Sequence, residues 1–246
     1  MRDIEEFKKL IDRKNLNFYG INVSSGWAEK RAEFDRKNSI YYVNAIPVDI
    51  CFAGDSITES FEVNAYFSEF GTVVNRGIGG ETIEYLAIRF PLDVIALKPK
   101  ICIVSEGINN TYELYKKYNE GREIGQEDIG SEIEKMIPYY KTIAQQCAFA
   151  GIKLIFSSVL PIGVYDFRNS FILRLNAAIK EICSEFWAKG AKICYADTYS
   201  SVVSADKIVM DDLTFGDKLH PHVLGYNRIA KTLKPYIEKF LGEDPL

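Results

Sequence analysis

Short apolar runs alternate with longer segments of helical periodicity along most of the chain. Apolar runs without a polar face are typical of strands that are covered on both sides of a sheet. Such runs predict five strands, at residues 48–53, 72–75, 101–105, 153–159 and 191–195. Helical patterns predict helices at residues 58–69, shortly after residue 80, and at 128–150, 168–189 and 223–241. This alternation predicts an α/β fold, with a parallel sheet and helices on both faces.

Two residues refine the helix predicted at 128–150. Pro138 lies inside it and predicts a kink, because proline cannot donate the backbone hydrogen bond of a helix. Gly151 follows it and predicts its end. The first 45 residues show no strand pattern and carry a predicted helix at 3–13. We interpret residues 1–45 as an extension packed on a single domain formed by residues 46–246.

Composition narrows the classes of function. The chain has 246 residues, 47% of them hydrophobic, which is enough for one sizeable core. Thirty basic and 34 acidic residues give a net charge of -4, which argues against nucleic acid or an anionic membrane as the main partner. The charged N-terminus and the absence of a long apolar run predict a cytoplasmic protein without membrane insertion.

The cysteines indicate a reducing compartment. Their number is odd, they form no C-x-x-C pair, and most lie in apolar stretches, so we predict reduced core residues rather than disulfides or zinc ligands. They are Cys51, Cys102, Cys147, Cys183 and Cys194. The chain has two histidines and no convincing cluster of metal ligands, so we expect neither a metal nor another cofactor.

Polar residues interrupt the chain where the first predicted strand ends, in the sequence "CFAGDSITES". Asp55 and Ser56 come directly after an apolar run and before a helical pattern. A serine at such a strand-to-helix turn lies where a parallel sheet presents reactive groups, beside helix N-terminal amides. A nucleophile is one interpretation. A helix N-cap is the other, because Ser and Asp are both favoured there.

Three further polar segments stand at equivalent places. "NRGIGGET" (75–82) follows the second predicted strand, "EGINN" (106–110) follows the third, and "DKLHPH" (217–222) precedes the last helix. Since the carboxyl ends of parallel strands lie at one edge of a sheet, we expect these segments to converge with Ser56.

Together they supply the parts of an acyl-transfer site. A serine hydroxyl needs a base, histidine suits that role near neutral pH, and a carboxylate fixes the tautomer of the histidine. Asp217, three residues before His220, favours His220 as the base, and we expect His222 to lie at the surface. The oxyanion of a tetrahedral intermediate needs donors, which the backbone of Ser56, the backbone of Gly80 and the side chain of Asn109 can provide.

Each segment has a simpler interpretation when taken alone. The glycines could form a phosphate-binding loop or an ordinary turn, although Thr82 stands where a dinucleotide fingerprint has Gly or Ala. Asn109 and Asn110 are common turn residues, and D-x-x-H often occurs by chance. The order of all four segments, each beside a predicted strand or helix, favours the catalytic interpretation.

At these residues the chain resembles the SGNH hydrolases, also called the GDSL esterases and lipases. "GDSITE", "NRGIGGET", "GINN" and "DKLHP" are similar to the four sequence blocks of that family, and the resemblance covers residues 46–240. It implies a three-layer sandwich with a five-stranded, parallel, flavodoxin-like sheet. It also implies Ser56 as nucleophile, His220 as base, Asp217 as its orienting acid, and Ser56, Gly80 and Asn109 as oxyanion donors. Asn110 departs from the pattern, because the family usually has aspartate there.

The expected activity is that of a serine esterase that removes a small acyl group, acetyl above all, from a carbohydrate or another small hydroxylic molecule. A lysophospholipase or a thioesterase on the same triad is the alternative. A binding module without turnover is a third, less favoured one, because no triad residue is missing. Aromatic residues in the loops at 110–127 and 160–170 could stack on a sugar, cover an acyl chain, or pack at the surface. They are Tyr112, Tyr115, Tyr118, Tyr165 and Phe167.

Overall fold

A parallel sheet of five strands lies at the centre of the computed structural model, which describes residues 25–209 and 211–242. The strands are β1 (Ile50–Gly54), β2 (Val73–Gly77), β3 (Ile101–Ser105), β4 (Lys153–Ser157) and β5 (Ile193–Ala196). Their order across the sheet is β2-β1-β3-β4-β5, and every neighbouring pair is parallel. This flavodoxin-like order confirms the predicted fold class, and each strand lies within two residues of its predicted bounds.

Helices cover both faces of the sheet. In chain order they are α1 (Ser25–Val43), α2 (Ser56–Glu59), α3 (Val63–Phe67), α4 (Ile83–Asp93), α5 (Tyr112–Asn119), α6 (Gln126–Ala150), α7 (Phe167–Ala188), α8 (Tyr199–Val202) and α9 (Val223–Gly242). Single 3₁₀ turns lie at Ser68–Phe70, Ile95–Leu97, Ile108–Thr111 and Asp211–Leu213.

The apolar strands are explained by a core on each side of the sheet. In β1, Cys51 and Ala53 join the core beneath α4, α6 and α7, whereas Ile50 and Phe52 join the core beneath α2, α3 and α9. Successive side chains of a strand point to opposite faces, so a strand buried on both faces is apolar at every position. The result is the three-layer sandwich that the resemblance implies.

The prediction of a single helix at 58–69 is wrong, because two short helices, α2 and α3, take its place. The side-chain amide of Asn75 donates to the carbonyl oxygens of Thr58 (2.6 Å) and Phe61 (2.9 Å). These carbonyls would be helix acceptors in a continuous helix. A side chain of β2 therefore ends α2 one turn after it begins.

The other predicted helices are observed within a few residues of their bounds. Helix α6 continues as one helix through Pro138, and Gly151 ends it in the left-handed conformation that favours glycine, with φ at +68°. Helices α1 and α5 were not predicted, and α5 lies in the segment at 110–127 that the sequence pattern suggested was a loop. The helix predicted at 3–13 lies outside the described residues.

All five cysteines lie in the described residues, and none of them forms a disulfide; Cys194 is half-buried and the others are buried. Among the described residues, no helix combines the length and the apolar content that crossing a bilayer requires.

Candidate active site

Ser56 is the first residue of α2, directly beyond the carboxyl end of β1. The N-cap of this helix is the neighbouring Asp55, whose Oδ1 accepts from the amide of Ile57 at 2.9 Å. The two interpretations of the sequence therefore apply to different residues. Asp55 caps the helix, and the hydroxyl of Ser56 is left for other partners.

Gly54 allows this turn to lie close to β3. A Cβ atom at this position would stand 2.0 Å from the carbonyl oxygen of Ser105, well inside van der Waals contact. Only glycine lets the end of β1 approach its neighbour this closely. The requirement for glycine thus comes from packing between two strands, one residue before the cap.

The hydroxyl of Ser56 contacts the imidazole of His220. Ser56 Oγ lies 2.8 Å from His220 Nε2, and His220 Nδ1 lies 2.6 Å from Asp217 Oδ2. An ionised carboxylate can only accept hydrogen bonds, so it holds the imidazole proton on Nδ1 and leaves Nε2 to accept from the serine hydroxyl. The structure brings together the three residues that the sequence selected.

The Asp217 carboxylate is held by its own loop. Its Oδ1 accepts from the amides of Leu219 and His220, both at 3.0 Å. Partial burial alone would raise the pKa of Asp217, but these amides and the imidazole outweigh it and lower that pKa below its ordinary value. Asp217 therefore stays ionised at any pH at which a histidine titrates.

His222 has a different local role. Its Nδ1 accepts from the amide of Leu224 at 3.2 Å, and its carbonyl accepts from the amide of Tyr226 at 3.0 Å. These bonds satisfy donors in the first turn of α9. The ring is partly exposed and lies edge-on to Phe215, at 5.9 Å between ring centroids. His222 thus lies near the surface, as expected, at the start of a helix.

Gly80 occupies the third position of a tight turn between β2 and α4. The amide of Glu81 donates to the carbonyl of Ile78 at 3.3 Å, and Gly80 has φ at +74°. A type II turn needs a positive φ at this position, which explains the glycine. A Cβ atom on the adjacent Gly79 would lie 3.6 Å from the Cβ of Ser56, so the turn lies beside the serine.

Asn109 lies in the 3₁₀ turn that follows β3. Its Nδ2 donates to the carbonyl of Glu81 at 2.9 Å, which fixes the plane of the amide and uses one of its two hydrogens. The backbone amides of Ser56 and Gly80 make no hydrogen bond within the described part of the chain. Each of these three groups, the two backbone amides and the Asn109 side-chain amide, thus has a hydrogen left to donate.

Most of the chain matches a family of known proteins. A sequence model of the GDSL-like lipase/acylhydrolase family matches residues 52–228, which is well over half of the chain. The chain belongs to the GDSL-like lipase/acylhydrolase family. This confirms the resemblance that the four segments predicted.

Individual relatives are distant. An acetylxylan esterase of Geobacillus stearothermophilus is 23% identical over 171 residues, which cover 69% of this chain and 74% of the relative. A GDSL-like lipase of Bacteroides thetaiotaomicron superposes with a TM-score of 0.62 at 23% identity, over 85% of this chain and 98% of that one. A variant of an acetyl-xylooligosaccharide esterase of Geobacillus stearothermophilus superposes with a TM-score of 0.61 at 21% identity, over 82% of this chain and 98% of that one. At these identities the superpositions show a shared fold.

Asn110, the departure from the family pattern, is buried and fully bonded. Its Oδ1 accepts from the amide of Ile83 at 3.2 Å, and its Nδ2 donates to both carboxylate oxygens of Glu84, at 3.1 and 2.9 Å. An aspartate could not donate these bonds and would place a second carboxylate against Glu84. The asparagine is therefore matched to Glu84, and together they hold the start of α4 beside Asn109.

Two carboxyl groups are buried beneath the serine. Burial, which disfavours the charged form, raises the pKa of Asp55 to about 7. Burial, together with the nearby charges of Asp55 and Glu81, raises the pKa of Glu106 well above its ordinary value. Glu106 Oε2 has no hydrogen-bond partner among the described residues. The interior below the site therefore favours neutral carboxyl groups.

Sequence patterns did not single out the residues that support the site. Glu81 stands inside the quoted glycine segment, and its partners Trp27 and Arg89 lie outside every segment that was singled out. The sequence offered one indication of this support, which is that an acidic residue, Glu81, directly follows two consecutive glycines of that segment. No group of three or more potential metal ligands lies together within residues 25–209 and 211–242.

Replacing Asp55 with asparagine should change how stability depends on pH. The neutral amide keeps the Oδ1 acceptor for the Ile57 amide. A carboxyl whose pKa rises from 3.8 to about 7 on folding makes the native state less stable as pH rises between those values. Relative to the variant, the wild type should lose about 3 kcal/mol between pH 4 and 7 and little above pH 7. Urea unfolding of both proteins at each pH measures this, and parallel stability curves would contradict it.

Replacing Asn110 with the aspartate that is usual in the family should destabilise this protein. Two facing carboxylates and a lost donor predict a cost of about 1–3 kcal/mol. Adding Glu84→Gln removes the facing charge and should recover much of the loss, whereas Glu84→Gln alone should have a small effect. A double-mutant cycle of unfolding free energies tests this coupling. Asn110→Asp with wild-type stability would show that the pair is unimportant.

Proposed function

We propose that the protein is a serine esterase that hydrolyses short-chain esters, acetyl esters above all, of a carbohydrate or another small hydroxylic molecule. The observation that carries the proposal is the continuous hydrogen-bonded chain from Ser56 through His220 to Asp217. Membership of an acylhydrolase family and the similarity to an acetylxylan esterase support it.

In the proposed reaction, Ser56 Oγ attacks the ester carbonyl carbon while His220 Nε2 takes the hydroxyl proton. Asp217 stabilises the imidazolium that forms. The tetrahedral intermediate collapses when His220 returns the proton to the leaving alcohol oxygen, which frees the alcohol and leaves an acyl group on Ser56. Water, deprotonated by His220, then attacks the acyl carbon. The second intermediate collapses as the bond to Ser56 Oγ breaks and His220 returns its proton to that oxygen, which releases the carboxylic acid and restores the serine.

The negative charge of each tetrahedral intermediate would be stabilised by the amides of Ser56 and Gly80 and by Nδ2 of Asn109. Such fixed donors lower the barrier because they are already oriented when the charge develops. The bond from Asn109 to the carbonyl of Glu81 orients one of them.

The leaving alcohol would lie on the side of His220, since that residue must protonate its oxygen. A groove of about 650 Å³ adjoins His220 there, with Phe215, Tyr66 and Val223 among its lining residues. Phe215 and Val223 are exposed in it. A ring-shaped alcohol such as a sugar could pack against these side chains.

Aromatic side chains of α5 and of the segment before α7 form a second candidate surface for the alcohol. Tyr112 and Tyr165 are 66% and 73% exposed, and the guanidinium of Arg168 lies 3.9 Å from the ring centroid of Tyr115. Exposed rings with polar neighbours suit the apolar faces and hydroxyl groups of carbohydrates.

The core beneath α2 has little free space. The cavity beneath α2, lined by Phe52, Ile57 and Leu160 among others, has a volume of about 20 Å³. This is room for about one water molecule. A long acyl chain would have to displace core side chains to enter there.

Ser56→Ala should abolish ester hydrolysis without unfolding the protein. If the serine is the nucleophile, as in other serine hydrolases, turnover should fall by a factor on the order of 10⁶. His220→Ala should be comparably inactive, and His222→Ala, the matched control, should stay within about tenfold of wild type. Activity should fall on acidification, because a protonated imidazole cannot accept the serine proton. Hydrolysis of p-nitrophenyl acetate measures all three variants. An active Ser56→Ala variant would exclude the nucleophile, and an inactive His222→Ala with an active His220→Ala would exclude the assigned base.

The acyl preference separates the esterase from its alternatives. Across p-nitrophenyl esters from acetyl to octanoyl, kcat/KM should be highest for acetyl, and acetylated xylo-oligosaccharides should be cleaved. In an enzyme that prefers long acyl chains, each methylene that becomes buried would add about 0.8 kcal/mol of binding free energy. If kcat/KM rises steadily to octanoyl below the micellar range, the protein is a lipase or thioesterase instead. If the wild type cleaves none of these esters, the non-catalytic interpretation gains support.

A further inference from the structure

One face of α1 is turned toward the turn that carries Gly80. Trp27, Arg31, Phe34 and Asn38 are all buried, and their spacing places them on one side of the helix. Arg31 pairs with Asp93 of α4 at 2.8 Å. Phe34 lies against the guanidinium groups of β2 and α4, and Asn38 accepts from Arg76 of β2. The face is half polar, and it is bonded to the elements on both sides of the turn.

Trp27 contacts the turn itself. Its indole Nε1 donates to Glu81 Oε1 at 2.6 Å, and Trp27 is 8% exposed. The Glu81 side chain is fully buried, and Arg89 Nε donates to its two oxygens at 2.8 and 2.9 Å. The carboxylate is therefore fixed from two directions, by α1 and by α4.

The backbone of Glu81 contacts the proposed oxyanion donors. Its amide closes the turn on Ile78 and so sets the conformation of Gly80. Its carbonyl oxygen accepts a hydrogen bond from Nδ2 of Asn109 at 2.9 Å. The same residue thus joins α1, through its side chain, to two of the three donors, through its main chain.

A second, weaker connection runs on the solvent side. Lys30 of α1 pairs with Glu59 at 3.1 Å, and Glu59 Oε2 accepts from the amide of Gly79 at 2.7 Å. Both side chains of the ion pair are about one-third exposed, so the pair contributes little energy. The buried contact of Trp27 carries most of the restraint.

We propose that Trp27 is a positioning residue for catalysis, which acts through Glu81 to hold Gly80 and Asn109 where the oxyanion forms. This inference rests on the proposed esterase function. Helix α1 precedes residues 52–228, the region that the family model matches. The proposal nevertheless assigns α1 a role in the site. Because the donors act on charge that exists only in the transition state, loosening them lowers kcat and leaves KM nearly unchanged.

Trp27→Phe tests the proposal, because it keeps an aromatic ring and removes the indole donor together with part of the ring volume. The matched control is Asn38→Ala, which removes buried hydrogen bonds to Arg76 of β2 from the same face of α1 and leaves the contact between Trp27 and Glu81 in place. We expect Trp27→Phe to lower kcat for p-nitrophenyl acetate about tenfold with KM within about twofold. Asn38→Ala should keep kcat within about twofold of wild type, even if it lowers the melting temperature as much as Trp27→Phe does.

Hydrogen exchange provides the second measurement. The amides of Gly79, Glu81 and Ile83 are bonded in and beside the turn, so a peptide covering 76–84 should exchange faster in Trp27→Phe than in Asn38→Ala. If kcat falls in both variants in proportion to the decrease in melting temperature, Trp27 is only structural and the proposal is wrong. Unchanged kcat and unchanged exchange in Trp27→Phe also overturn it.

Failure of the proposed function gives a different result. In that case the wild type would neither cleave the esters nor be labelled at Ser56 by a fluorophosphonate. An active, labelled wild type with an unaffected Trp27→Phe variant would refute the positioning role alone.

Discussion

The buried guanidinium of Arg89 joins the parts of the molecule that the site requires. It is fully buried, pairs with Glu81 and with Asp93, and donates to the carbonyl oxygen of Arg76 at 2.8 Å. Burial opposes its charge, but the charge of Glu81 outweighs that effect and raises the pKa of Arg89 above its ordinary value. Removing one partner of such a group leaves an uncompensated buried charge, which is far more costly than losing a surface ion pair. Strand β2, the glycine turn and α4 therefore hold their positions together.

The sheet could be predicted from the sequence because strands buried on both faces are apolar at every position. Helix α1 could not be predicted in this way. The face that it buries contains Arg31 and Asn38, whose partners are charged and polar groups of β2 and α4. Hydrophobic periodicity detects helices that bury apolar faces, so a helix that buries hydrogen-bonded polar residues shows little such pattern. The break between α2 and α3 was missed for a related reason, because its cause, Asn75, lies in a different element.

The candidate site was predictable as far as its residues follow strand ends. Ser56, Gly80 and Asn109 follow β1, β2 and β3, and the geometry of a parallel sheet brings these positions together. Asp217 and His220 could be paired because they are three residues apart. The pairing of Asn110 with Glu84, and of Glu81 with Trp27, joins residues 26 and 54 positions apart. A single sequence contains no pattern that connects such residues.

The contact between Ser56 and His220 spans 164 positions of the chain, whereas His220 and Asp217 lie on one turn. The carboxylate and imidazole can meet through local structure, but the serine reaches the base only when the sheet, α9 and the loop between them have all formed. Closing so long a stretch of chain is entropically costly until native contacts compensate for it. Recovery of enzymatic turnover during refolding would therefore mark the last stage of folding, after most secondary structure has returned.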